Sequence, residues 1–109
     1  MTRSQIERRF LRDLRNALDI PLPLTNHWMH GYEADFYWAD ANLVVEIDDY
    51  LTHGDRLAFE RDRRKQTAYA LEGLQMIRIT EETLPGAVAT VRRLRLASGH
   101  RWTATSRPG

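Results

Sequence analysis

Between Tyr32 and Asp48 the chain has little freedom in what it can become. "YEADFYW" and "LVVEID" are rich in β-branched and aromatic residues and alternate in polarity, and "ADAN" lies between them. Such runs form two antiparallel strands joined by a tight connection. With Trp38 facing Leu43 across 39–42, Asp35 falls opposite Glu46 and Glu33 opposite Asp48. The period of two then sorts the faces. Ala34, Phe36, Trp38, Leu43, Val45 and Ile47 share an apolar face; Glu33, Asp35, Tyr37, Val44, Glu46 and Asp48 share the other. Opposed residues sit roughly 4.5–5.5 Å apart at Cβ, where like charges destabilise the pair. Two stacked acid pairs therefore need water around them, arginines beside them, or a divalent cation between them. Facing carboxylates on a rigid hairpin are a ligand pair for Mg²⁺, which takes one or two carboxylates plus water and substrate phosphate.

The flanking segments have their own signals. Ser4 with Glu7 three residues on fits a capping box. Ile6, Phe10, Leu14 and Leu18 recur on one helical face, and the prolines at 21 and 23 stop that helix near Ile20. Residues 26–30 form a weaker strand candidate. Asp55 is placed to cap a long helix that ends at Gly73. Gln75–Thr80 reads as a strand, and Pro85 opens a last helix packed through Val88, Val91 and Leu94. The order helix-strand-strand-strand-helix-strand-helix predicts an α/β domain with a mixed sheet flanked by helices. The crossover through the long helix favours parallel pairing of the last strand. Residues 1–97 form one domain in this reading, and 98–109 a polar, flexible tail.

Composition narrows the class. The chain has 109 residues, 42% hydrophobic and 28% charged, which suits one globular domain. It has no cysteine, which removes disulfides and thiolate metal sites and agrees with a cytoplasmic protein. No signal peptide and no apolar run long enough to span a bilayer is expected to operate. The net charge of +1 conceals basic clusters around an acidic centre. That distribution would suit a polyanion beside a carboxylate-held metal, or arginine-rich helices that are simply solvated, the reading that charge alone favours.

Taken together, Glu7 in the first helix, "GYEADFYW", "LVVEIDDYLTHG", "FERDRRKQ" and "GLQMIRIT" resemble the small PD-(D/E)XK nuclease-like domains related to very short patch repair (Vsr-like) endonucleases. The resemblance runs from about Ser4 to Leu96. It implies a restriction-endonuclease-like core and a Mg²⁺-dependent DNA endonuclease, with Mn²⁺ as substitute, in repair or defence. Asp35 and Glu46 would be the metal ligands, joined by the Ile47 carbonyl and by Glu7 directly or through water. Asp48 stands where the superfamily most often has lysine. His53 matches the histidine that follows, and Asp62 and Lys65 match the pattern on the long helix. Asp49 replaces the usual glycine, Lys65 a usual arginine and Gln66 a usual aspartate.

His53 is the candidate proton acceptor or donor by type, since the unperturbed histidine pKa is about 6.5. Lys65 would stabilise charge on the phosphate; at spacings of three and four it shares a helix face with Asp62 and Tyr69. Arg61, Arg64, Arg92, Arg93 and Arg95 are the candidates for phosphate contacts, which give affinity without sequence choice. His27 and His30 read as structural or surface residues. Trp28, Tyr32, Phe36 and Trp38 read as core. Two other functions share the fold: a nucleic-acid-binding module without catalysis, and an interaction subunit. DNA is the expected partner, with no membrane, and the chain acts as monomer or homodimer.

Overall fold

The computed structural model describes residues 1–48 and 56–106, with side chains through residue 99. The elements run α1 (Arg3–Asn16), β1 (Leu24–Met29), β2 (Tyr32–Trp38), β3 (Leu43–Ile47), α2 (Arg56–Leu71), β4 (Gln75–Ile79) and α3 (Ala87–Ser106). Single 3-10 turns occupy Ala39–Ala41 and Leu84–Gly86. The sheet order is β1-β2-β3-β4, antiparallel except for the parallel pair β3-β4. This is the mixed α/β architecture expected, with α2 as the crossover. The polar stretch from Ser98 continues α3 to Ser106.

Helix α1 starts two residues earlier than its sequence promises. Thr2, not Ser4, is the N-cap: its hydroxyl accepts from the Gln5 N–H at 3.2 Å, and the Gln5 side chain accepts from the Thr2 N–H at 2.8 Å. The template Thr-x-x-Gln competes with Ser-x-x-Glu and gains an extra half turn of helix. The helix also ends at Asn16 rather than near Ile20. Leaving the helix there exposes Leu18 (95%) and lets Ile20 enter the core (6%). Burying Ile20 thus outweighs the fourth position of the helical stripe.

The hairpins follow their turn chemistry. His30 and Gly31 join β1 to β2 with φ of 53° and 84°. Positive φ at both central residues is the type I′ turn, whose twist matches that of the strands. Asn42 takes φ 49° after the 3-10 turn and sets Trp38 opposite Leu43, with Phe36 opposite Val45, in the expected register.

Two cores sandwich the sheet. The larger joins Ile6, Phe10 and Leu14 of α1 to Leu84, Ala87 and Val91 near and on α3, over Phe36, Trp38, Leu43, Val45 and Ile47. Phe10 meets Phe36 edge to face at 5.0 Å. Val88 and Leu94 pack on the same cluster, as the last helix was expected to do. The smaller core lies under α2 and holds Ala34, Val44, Tyr69 and Leu74.

Ala34 corrects the sorting of faces: it packs with Tyr69, opposite to Phe36 and Trp38. Strict alternation therefore fails at Asp35. The paired positions of β2 and β3 begin at Phe36–Val45, and those of β1 and β2 pass over Asn26, whose φ is 49°. Strand β2 shifts phase where its first buried acid sits.

Candidate active site

The ladder between β2 and β3 gives way to side chains at Asp35 and Glu46. The Asp35 N–H donates to Glu46 Oε2 at 2.7 Å, and the Ile47 N–H donates to Asp35 Oδ2 at 2.9 Å. Each acid thereby occupies a backbone donor of the facing strand, which the local loss of strand pairing would otherwise leave buried without an acceptor. The opposition of Asp35 and Glu46 read from the sequence is present, but as mutual capping rather than as a strand pair.

The second oxygen of each carboxylate meets a cation. Arg3 Nη2 lies 2.7 Å from Asp35 Oδ1. Lys65 Nζ bonds Glu46 Oε1. Arg3 comes from α1, on one side of the sheet, and Lys65 from α2, on the other. The acids thus meet in the gap where the strands part. Of the three remedies for stacked acids, the structure displays basic side chains beside them. They are one arginine and one lysine, and the acids are buried rather than bathed in water.

The electrostatics follow from this burial. Burial pushes the Glu46 carboxyl above its ordinary range and the neighbouring Asp35 charge adds to it; the Asp35 N–H and Lys65 act in the other direction. Tyr69, on the same face of α2 as Lys65, is pushed up to about 12 by burial and by the charges of Glu46, Asp35 and Glu33. Its hydroxyl donates to the Tyr32 carbonyl at 3.0 Å.

A cleft of about 900 Å³ opens over the pair. Arg3, Glu33, Asp48, Arg61, Asp62, Arg63, Gln66 and Arg78 contribute to its wall, together with Asp35, Glu46, Ile47 and Lys65. The charged first half of α2 is explained by this wall, and the predicted face of Asp62, Lys65 and Tyr69 does turn to the hairpin. Asp62 holds Arg78, which also reaches Gln66 Oε1 at 3.3 Å. Trp28 (63% exposed) and Phe59 (53%) line the same cleft. Trp28 is thus no core residue, unlike Phe36 and Trp38.

Other candidates lie elsewhere. Glu7 is half-buried on α1 and is absent from the described residues of the cleft wall. Arg64 is also absent from that wall. Arg92 grips Asp19 at 2.6 and 3.1 Å, and Arg95 grips Asp40 at 2.7 and 2.8 Å. These contacts hold both aspartates below the usual carboxylate range. Neither arginine lines the cleft, nor does the exposed Arg93. His27 stacks on Tyr37, and His30 lies 4.0 Å from Glu72, as surface and structural histidines do. His53 and Asp49 lie outside the described residues.

Sequence reasoning missed Arg3 and Arg78. Arg78 had a signal: in parallel register it pairs with Glu46. Arg3 had none, because its reach to Asp35 depends on how α1 crosses the sheet.

The element order and the mixed four-stranded sheet define an α/β domain with helices on both faces, a fold shared with a solved nuclease domain. The catalytic domain of the homing endonuclease I-Bth0305I is a similar solved structure, with a TM-score of 0.57 and 18% identity over 94% of this chain and 97% of that domain. No family model and no curated protein matches the sequence. Among the described residues, no helix is long and apolar enough to cross a membrane.

Proposed function

We propose that this protein is a divalent-metal-dependent endonuclease that hydrolyses DNA phosphodiester bonds, in repair or defence. One observation carries the reading: two buried carboxylates are clamped together at a cleft floor, each with one oxygen on backbone and the other turned away from it. The donor chemistry fits Mg²⁺ or Mn²⁺, which favour hard oxygen ligands. Asp35 Oδ1 and Glu46 Oε1 would hold the ion. The Ile47 carbonyl is a third candidate, since a strand residue directs C=O and N–H to the same side and the Ile47 N–H points to Asp35. Glu7, which does not line the cleft, is left out of this ligand set. When bound, the metal supplies a polarised phosphate oxygen and a water of lowered pKa.

The chain's own groups do the rest. Lys65, already beside Glu46, offers an ammonium to the charge that develops on the phosphate. Arg61 in the cleft wall supplies a phosphate contact without sequence choice. His53 is the group assigned to move a proton to or from the water or leaving oxygen. Asp48, which also lines the cleft, is a further acid of the expected set.

The test is nicking of supercoiled plasmid with Mg²⁺, with EDTA, and with the amide variants Asp35→Asn and Glu46→Gln. Amides are chosen because each keeps an oxygen for the backbone N–H it now caps. Mg²⁺-dependent nicking lost in both variants is the expected result; wild-type rates in either variant overturn the site. A second reading, a binding module without catalysis, draws on the neutralisation of both acids by Arg3 and Lys65. Retained DNA binding with no nicking at any Mg²⁺ concentration would select it.

A further inference from the structure

The two oxygens that a metal would need are the two that cations already hold. Asp35 Oδ1 is on Arg3 and Glu46 Oε1 is on Lys65, while Oδ2 and Oε2 are committed to backbone. The two cations differ in how deeply they are set. The Lys65 side chain is 14% exposed and that of Arg3 is 53% exposed. Arg3 lines the cleft, and its one described side-chain bond is to Asp35. The half-solvated guanidinium of Arg3 keeps much of its hydration, so it leaves its carboxylate more readily than the buried ammonium of Lys65 does. A guanidinium also has five donors in a fork that matches a phosphate.

We infer that Arg3 is an exchangeable cation of this site: it holds Asp35 until a divalent metal takes Oδ1, and it then serves as a phosphate-binding residue for the incoming strand. Arg3 is a positioning residue in the first state and touches substrate only in the second. The phosphate half of the inference rests on the function proposed above; the exchange at Asp35 does not. Asp35 thus has a cationic partner in both states, so its carboxylate is at no stage buried alone. It also follows that metal binding and DNA binding assist one another, because each removes a competitor for the other: the metal frees Arg3, and a phosphate on Arg3 frees Asp35.

The experiment compares wild type with Arg3→Ala and Arg3→Gln. Arg3 is the first helical residue of α1 and half exposed, so Ala suits it; Gln retains a donor for Asp35 should Ala disturb the fold. Mn²⁺ affinity is measured by titration calorimetry, with Asp35→Asn as the blank. Both variants should bind Mn²⁺ about two- to fivefold more tightly, since a competing ion pair and a like charge are removed. Unchanged or weaker Mn²⁺ binding overturns the inference. Binding of a short DNA duplex is then followed against KCl concentration, in EDTA and with Ca²⁺. With Ca²⁺ the slope of log affinity on log salt should be smaller by about 0.9 in Arg3→Ala, one phosphate contact fewer; in EDTA it should match wild type. Equal slopes in both conditions, or equal losses in both, overturn the phosphate role. Wild type that binds no DNA refutes the proposed nuclease while the Mn²⁺ titration still decides the exchange. Wild type that nicks plasmid while Arg3→Ala leaves Mn²⁺ affinity unmoved removes this inference and leaves the nuclease standing.

Discussion

Replacing Lys65 by methionine should be more harmful to folding than its position on an exposed-looking helix implies. Met keeps the stem packed toward the Tyr69 ring, which Lys65 Nζ approaches to 5.9 Å, but removes the charge on Glu46 Oε1. The side chains of Lys65 and Glu46 are only 14% and 9% exposed. Removing one partner of such a pair strands the other, a loss of about 3–5 kcal/mol when both are fully buried. With part of Lys65 in water, about 3 kcal/mol is the expectation at pH 7, or roughly a 13 °C fall in Tm for a domain of this size. The sign with pH is fixed by Glu46. Its folded pKa is already raised, first by burial and then by Asp35, and loss of Lys65 raises it further. A carboxyl whose folded pKa exceeds its unfolded value favours folding while protonated and opposes it once ionised. The penalty should therefore be full above the folded pKa and vanish as pH falls below the unfolded value of 4.5. Urea denaturation of wild type and Lys65→Met, from pH 7 down, measures this difference directly. In a Glu46→Gln background the same substitution should cost less than about 1 kcal/mol, because no charge is orphaned. Equal costs in both backgrounds, or a penalty independent of pH, would refute the reasoning.

Tyr69→Phe removes the bond to the Tyr32 carbonyl and should cost about 1 kcal/mol by thermal or urea unfolding. In an ultraviolet titration, the same substitution should delete one of four tyrosine transitions, the one centred at about 12. Gly31→Ala meets no atom within 4 Å of the new Cβ, so its cost is that of the left-handed backbone alone, about 1–2 kcal/mol, and Gly31→Asn should recover part of it.

How much could be read from the chain depended on how local each signal was. The β2-β3 register was legible because turn and alternation agree, and the parallel β4 followed from its crossover. The face of Lys65 and Tyr69 was legible from spacing alone. Ala34 was not, because alternation presumes an unbroken ladder, and here two side chains replace ladder bonds. The cap of α1 was ambiguous in kind: two templates overlap by two residues, and the longer helix prevails. Arg3 could not be found from neighbours in sequence, since 32 positions separate it from Asp35. Trp28 was misjudged because aromatic type was taken as depth, whereas its strand lies at the sheet edge, beside the cleft.

The mutual capping of Asp35 and Glu46 has a consequence for lineages rather than for molecules. These two acids answer to two demands at once, since each closes a backbone donor that the parted strands would otherwise abandon. Without the proposed cleavage, each position would still need a side-chain oxygen for its backbone donor, which an amide supplies as well as an acid. Lys65 is under a different constraint: once Glu46 becomes glutamine, no structural debt remains to keep it. Glutamine at 46 together with an uncharged residue at 65, on an otherwise intact hairpin, is therefore the mark to expect of a copy that lacks the proposed cleavage.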